Sequence, residues 1–425
     1  MDCVIVGGGP AGIHAALQCR QSWPGKTVAL LEAGEELGYC NPMLPQYMGG
    51  QVEEEKLFFW RPAEDPLFQL RTGVQVQSLE RASRSLRLSN GEELRYERLI
   101  LAPGGRAIVP FADLEKGPAG IFPVRTLAPA RKIREWIPTH REIVVLGGGL
   151  VGIKTAVYLS AAGFKISIVE KEDHILPQAL SPSASKPIEE HLHRLGIRLY
   201  LGNALDSFDG AKGALTAVKA GGRTIPCETL LLAIGSVPNI GFLDGSNLVQ
   251  ERAIQLSSTL QTSDPNIFAA GDAVAIAAPG GIKVTPWTWP QAVTQGKLAA
   301  ANLYGPEPVP IQVLTRVNSM NLQGLALAVL GVPVPGAEIV SWTGPGEGSY
   351  REIFLRDGRI VGGALVGNTS GATRLHTLMI NGETIGPKAL ELLRQTGRVY
   401  ARPLPARFPR QRRVARFFSS KEMNP

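Results

Sequence analysis

A chain of 425 residues with 44% hydrophobic residues, 48 Gly and 32 Pro is too long for one compact core and too apolar for disorder, so two or three globular domains rich in tight turns are expected. No apolar run is long enough to cross a bilayer, and Cys3, Cys19, Cys40 and Cys227 form no CxxC pair and no close cluster, so neither a disulfide framework nor a zinc or iron–sulfur site is indicated; no metal is expected. The formal charge of +7 is local: residues 394 to 425 carry eight Arg and one Lys against one Glu, so the rest of the chain sums to about −1.

The chain enters "CVIVGGG" two residues after Met1, which leaves no room for a secretory leader, so the cytoplasm is the expected location. "DCVIVGGG" reads as a strand, a helix begins near Pro10, and "TVALLEA" reads as a second strand. Apolar runs of this kind, without alternation, suit parallel strands buried on both faces. The same unit recurs at 141 to 170, "REIVVLGGGLVGIKTAVYLSAAGFKISIVE", which predicts two nucleotide-sized α/β domains. Between Thr262 and Tyr304 follow a strand, "NIFAAGD", and a helix, "PQAVTQGKLAAANL". His191 and His193, two apart on an expected helix, face different ways and make no metal pair.

After the Pro-rich linker "YGPEPVP", residues 313 to 366 read as strands, and "YREIFLRDGRIVGGALVG" as a hairpin turning at Asp357 and Gly358. A third, antiparallel domain is therefore expected. Beyond about 386 a short helix gives way to a tail with Pro403, Pro405, Pro409 and interspersed Arg, expected to be poorly structured alone.

The chemistry sits in the two repeats. Gly7, Gly9 and Gly12 stand in GxGxxG order directly after a strand, and Glu32 ends the next strand. Gly7 permits the tight turn, Gly9 lets backbone approach a pyrophosphate, Gly12 lets helix and strand pack closely, and the helix N-terminus offers unpaired N–H groups to the anion. Glu32 is placed to accept hydrogen bonds from ribose hydroxyls. Gly147, Gly149, Gly152 and Glu170 repeat every element, and the Glu170 carboxylate favours a free 2′-hydroxyl over a 2′-phosphate. The second nucleotide is thus expected to be NAD(H) rather than NADP(H), with Lys171 a solvated neighbour.

With these motifs, the chain crossings "LILAPGG" (99 to 105) and "LLLAIGSVPN" (230 to 239), and "TSDPNIFAAGDA" (262 to 273), the sequence resembles the two-dinucleotide-domain flavoprotein reductases. That family includes pyridine nucleotide-disulfide oxidoreductases, ferredoxin and rubredoxin reductases, NADH oxidases and the flavin part of nitrite reductases. The resemblance covers residues 1 to about 305, and the C-terminal strands are similar to the terminal domain of the nitrite reductase and rubredoxin reductase branch. It implies two Rossmann-like domains, the NAD domain (109–238) inserted in the FAD domain (1–108 and 239–305). A smaller antiparallel α+β interface domain (306–385) and a basic tail (386–425) would follow.

Residue by residue, the resemblance gives Gly7, Gly9, Pro10, Ala11, Gly12 and Glu32 to the ADP half of FAD, and the crossing glycines Gly104 and Gly235 to the cofactor cleft. Gly271 and Asp272 go to the ribityl chain, and Gly147, Gly149, Gly152 and Glu170 to NAD(H). Thr288 to Gln291 has the form of a capping box with Pro290 in its first turn, so that helix end and Gln291 would face the flavin pyrimidine. The stretch "GYCNPMLPQY" (38 to 47) is similar to the ferredoxin reductase pattern YxRPxLSK, keeping Tyr39, Pro42 and Leu44. Against Leu44-Pro45, the position of a redox thiol is filled by Pro42, so Cys40 is out of register. Where relatives pair Lys with Glu beside flavin N5, this chain has Gln46 and Lys154, the expected catalytic residues. The competing reading of Lys154 is a helix lysine reaching for solvent.

The expected activity is FAD-dependent electron transfer between NAD(H) and a ferredoxin-like iron–sulfur protein or subunit. An NADH oxidase, or a CoA-disulfide or persulfide reductase working through Cys40, is the enzymatic alternative. A flavin-bearing subunit docked by its basic tail onto a larger complex, nucleic acid or an anionic membrane is the other, with Phe408, Phe417 and Phe418 beside the arginines. The resemblance also leaves room for a homodimer.

Overall fold

The computed structural model describes residues 1–62, 64–111, 117–277, 283–284, 288–311, 317–331, 336–344 and 348–397. The last 28 residues of the Arg-rich tail, with Phe408, Phe417 and Phe418, lie outside the described residues. Among the described residues no helix is long and apolar enough to cross a membrane.

The first sheet has five parallel strands in the order Ile267–Ala269, Arg98–Leu101, Cys3–Val6, Val28–Leu31, Phe68–Arg71. Cys3–Val6 and Val28–Leu31 are buried throughout, as unalternating apolar runs require. Each fully buried Val, Ile or Leu there contributes roughly 1.5–3 kcal/mol. Helix α1 (Pro10–Ser22) follows the first strand, and the five-residue α2 (Leu44–Met48) follows a 3-10 turn, Asn41–Met43.

The second sheet repeats the plan with Arg198–Tyr200, Lys165–Val169, Glu142–Leu146, Thr229–Leu232 and Ile121–Pro123, again all parallel. Helices α3 (Leu127–Trp136), α4 (Leu150–Ala161) and α5 (Pro182–Arg194) belong to this half. The two crossings between the sheets, Gly105–Ala107 and Ser236–Pro238, pair with each other as an antiparallel ribbon. Helix α6 (Trp289–Leu303) returns to the first sheet and packs on α1 so closely that a Cβ at Gly296 would stand 2.1 Å from the Ala11 carbonyl oxygen.

The last sheet is antiparallel, in the order Val317–Leu322, Leu325–Gly331, Arg359–Gly367, Tyr350–Arg356, Glu338–Thr343. Its hairpin turns at Asp357 and Gly358, both with positive φ (51° and 70°), the signature of a type I′ turn. Helices α7 (Ala372–Ile380) and α8 (Pro387–Thr396) cover one face. The other face joins the core of the second half, where Leu327, Val329 and Val366 share a cluster with Ile153 of α4 and with Ile188 and Leu192 of α5. Leu44, Tyr47, Met48 and Leu57 belong to the same cluster, although they come from the first segment of the chain. The stretch around α2 is therefore anchored in the second half of the molecule.

Candidate functional site

The two fingerprints are the same object built twice. Gly7 and Gly147 turn with φ of +103° and +109°, and a Cβ at Gly12 or Gly152 would stand 1.8 or 1.9 Å from the carbonyl oxygen of Gly7 or Gly147. Only glycine allows strand and helix to approach so closely. At Gly9 and Gly149, by contrast, a Cβ would have nothing within 4 Å, so their backbone is open to a ligand. Helices α1 and α4 start there with no side-chain cap and no acidic residue in the first turn. Their N–H groups and positive dipole ends are available to an anion.

The strand-end carboxylates also match. Glu32 accepts from Gly8 N at 2.6 Å and Gly34 N at 2.8 Å; Glu170 accepts from Gly148 N at 2.6 Å and Glu172 N at 3.0 Å. These bonds fix each carboxylate beside its glycine turn and leave further lone pairs for hydroxyls. Lys171 is 74% exposed and pairs with Glu172, so it does not offset the charge of Glu170.

Around Asp272 the structure adds a residue that sequence reasoning does not single out. Arg125 donates from Nη2 to Asp272 Oδ2 at 2.9 Å and from Nε to the Gly105 carbonyl at 2.6 Å, and its own carbonyl accepts from Asn41 Nδ2 at 2.9 Å. One arginine of the second half thus ties together the crossing ribbon, the "GDA" turn and the 38–47 stretch. No motif flags it, because its partners lie 20 to 147 residues away. Gly271 (φ +87°) donates its N–H to Gln295 Oε1 at 2.7 Å, while Gly104 (φ +62°) and Gly235 (φ +107°) sit at the two crossings, which exchange bonds through Asn239 N to Gly104 O and Ile108 N to Gly235 O.

The capping box expected at α6 does not form. The helix starts at Trp289 with Pro290 in its first turn, but the Thr288 side chain makes no cap bond, and Gln291 Oε1 is buried without a partner. A buried acceptor left open in this way suits a ligand donor better than a helix cap.

Lys154 and Gln46 bond to different partners. Lys154 Nζ donates to the Pro42 carbonyl at 2.5 Å, whereas Gln46 Nε2 donates to the Tyr158 hydroxyl at 3.0 Å. Lys154 and Tyr158 lie one turn apart on α4, and residues four apart on a helix share a face, so both meet the 42–46 stretch without meeting each other's partner. Burial lowers the Lys154 ammonium below the ordinary lysine value. Burial raises the Cys40 thiol, and the Met43 N–H and the Lys154 charge draw it back less strongly.

These residues fit two dinucleotides: two open glycine turns at uncapped helix ends, two fixed carboxylates, and unpartnered buried amide oxygens at Gln46 and Gln291. The model of the pyridine nucleotide-disulphide oxidoreductase family matches residues 1–296, and that of the rubredoxin NAD+ reductase C-terminal domain matches residues 317–383. The 5,5'-dehydrodivanillate O-demethylase ferredoxin reductase subunit of Sphingobium is 29% identical, covering 90% of this chain and 94% of its own. An NADH oxidase of Methanocaldococcus jannaschii is 26% identical over 89% of this chain and 90% of its own. The reductase in the covalent putidaredoxin reductase–putidaredoxin complex shares the fold, with a TM-score of 0.83 and 24% identity over 92% of this chain and 95% of that one. The chain belongs to the pyridine nucleotide-disulphide oxidoreductase family and is an oxidoreductase of FAD and NAD(H).

Proposed function

We propose that the chain passes electrons between NAD(H) and an iron–sulfur protein or subunit of the ferredoxin type. The observation that carries this reading is a seam between the two halves with no reactive thiol in register: Pro42 stands at the thiol position, and burial holds the Cys40 thiol above its ordinary value. The relative named as a ferredoxin reductase subunit supports a protein acceptor.

FAD held by these residues would supply a ring able to take a hydride from NADH and pass its electrons to the acceptor. The chain's own part is binding and orientation. Gly7, Gly9, Pro10, Ala11 and Gly12 would hold the pyrophosphate on α1, Glu32, fixed by Gly8 N, would orient the ribose, and Asp272, steadied by Arg125, would orient the ribityl hydroxyls. Gly104 and Gly271, both with positive φ, would let backbone approach it, and Gln291 would offer its open oxygen at the α6 end. Gly147, Gly149, Gly152, Glu170 and Gly235 do the same for NAD(H), and the Glu170 carboxylate repels a 2′-phosphate. Lys154 brings a half-buried positive charge to the seam.

The division into 1–108 with 239–305, 109–238 and 306–385 is part of the proposal, supported by the pairing of the crossings at 105–107 and 236–238. So is the meeting of an acidic carrier with the arginines of the tail, by charge complementarity. The cytoplasm, where NAD(H) is available, is the proposed place of action, and a homodimer or larger complex the proposed assembly. A Cys40-based oxidase or disulfide reductase is the competing reading, favoured by the Lys154 charge beside the thiol.

Anaerobic titration with NADH, followed by ferredoxin, rubredoxin, oxygen and CoA disulfide in turn, tests the reading. Reoxidation by an iron–sulfur protein is expected. Reoxidation by the disulfide alone, lost in Cys40→Ser, would overturn it.

A further inference from the structure

The turn from Glu170 to Ser181 leads from the carboxylate of the second fingerprint to the start of α5, and on the way it touches the fingerprint a second time. Leu176, buried and left-handed at φ +53°, donates its N–H to the Gly148 carbonyl at 2.9 Å. A bulky residue keeps that conformation only where its surroundings impose it. Here α5 does so. Glu189 Oε1 accepts from Ile175 N at 3.2 Å, and Ser185 Oγ donates to the Ile175 carbonyl at 2.7 Å, so one helix holds both backbone groups of the residue before Leu176.

That helix is in turn fixed from the C-terminal sheet. Glu352, in strand Tyr350–Arg356, is fully buried, and its two carboxylate oxygens accept from the N–H and the hydroxyl of Ser181, the N-cap of α5, at 3.1 and 2.5 Å. Ser181 Oγ also accepts from Ala184 N at 3.2 Å and so caps the helix. A continuous chain of hydrogen bonds therefore runs from the C-terminal sheet through α5 to the glycine turn.

We propose, on the reading of the second fingerprint as the NAD(H) site, that Glu352 is a positioning residue through which the C-terminal domain holds that site in its binding shape. The turn it steadies carries both contacts the nucleotide needs: Glu170 at one end, and the bond on Gly148, between Gly147 and Gly149, near its middle. Without Glu352, Ser181 loses two partners in a buried interface, the start of α5 shifts, and Ile175 and Leu176 move with it. The core around the first sheet holds no residue of the C-terminal sheet among the described residues, so FAD binding stands outside this chain of bonds.

The test is the dissociation constant for NAD+, measured by titration calorimetry on the full-length, FAD-loaded protein. Glu352→Ala is expected to raise it about tenfold, within the range of coupling between residues of one hydrogen-bond network. The limiting rate of flavin reduction at saturating NADH should stay that of wild type, because only binding is weakened. Glu352→Gln keeps an acceptor for the Ser181 N–H and is expected to restore most of the affinity. If Glu352→Ala does not fold or loses FAD, Ser181→Ala supplies the measurement: it keeps the N–H bond, removes the hydroxyl, and should raise the constant about threefold. An unchanged constant would overturn the proposal, as would a loss that the glutamine variant shares in full or a slower limiting reduction with affinity intact. If the wild type binds NAD+ and the variants bind it equally well, this proposal alone fails; if the wild type binds none, the underlying reading fails.

Discussion

Arg125 and Asp272 form a 2.9 Å ion pair between the loop after Ile121–Pro123 of the second sheet and the turn after Ile267–Ala269 of the first. Both side chains are about two-thirds or more buried, so the pair is shielded from bulk solvent better than a surface bridge. Arg125→Met leaves Asp272 without its cation and frees the Gly105 carbonyl. The dissociation constant for FAD is expected to rise about tenfold, the loss of one charged hydrogen bond. Fluorescence of FAD released on dilution measures it, and an unchanged constant would remove Arg125 from the site.

The glycines separate folding from binding. A Cβ at Gly12 would lie 1.8 Å from the Gly7 carbonyl oxygen, where only backbone could give way. Gly12→Ala should therefore lower the melting temperature of the apoprotein. Gly9→Ala meets nothing within 4 Å, so its apoprotein should melt as wild type does while FAD binding weakens about tenfold or more. Equal melting temperatures for all three apoproteins would contradict this division.

The fold was legible because its signals are local. "CVIVGGG" and "IVVLGGG" each carry strand, turn and helix start within a few residues, and Asp357-Gly358 names its own turn. The site was legible only in part. Glu32 and Glu170 follow from their distance to the glycines, but Arg125 reaches its partners across folded space, and nothing in "PVRTLA" announces that. Tyr158 had a faint signal, standing four residues after Lys154 on one helix face. The capping pattern at Thr288 misled because Gln291 leaves its oxygen open instead of closing the box.

Lys154 and Cys40 influence each other across the seam, so each reports on the other. Lys154→Met removes the charge that draws the Cys40 thiol down. Alkylation of Cys40 at fixed neutral pH should slow several-fold, with or without FAD. Lys154→Glu reverses the charge and is expected to lower the flavin midpoint potential and slow reduction by NADH. An unchanged potential and an unchanged reduction rate would show that the charge acts on neither.

Glu170 is 7% exposed and held by two backbone N–H groups, so its carboxylate cannot swing away from a bound ribose. Glu170→Gln keeps the shape and removes the charge. The KM for NADH should rise roughly tenfold with kcat little changed, as expected when binding is weakened equally in ground and transition states. The preference for NADH over NADPH should narrow, because the repulsion of a 2′-phosphate is gone. Steady-state kinetics with both nucleotides decide it, and an unaltered preference would mean that another residue makes the choice.

Glu352 of the C-terminal sheet is fully buried against α5, where Ser181 donates to it from N at 3.1 Å and from Oγ at 2.5 Å. Burial outweighs those bonds and the nearby His174 charge, and raises the carboxyl above its ordinary value of about 4.5. For an acid raised by folding, the sign runs against the usual carboxylate case. Below the unfolded value both states are protonated and the contribution is fully present. As pH rises from there toward the raised value, the unfolded chain has ionised while the folded one has not, so stability is lost until the folded carboxyl ionises too. Glu352→Gln keeps the partners of Ser181 and has no such window. Its melting temperature should therefore gain on that of wild type as pH rises above about 4.5, then run parallel to it. A difference that stays constant from pH 4 upward would show that the buried carboxyl is not raised.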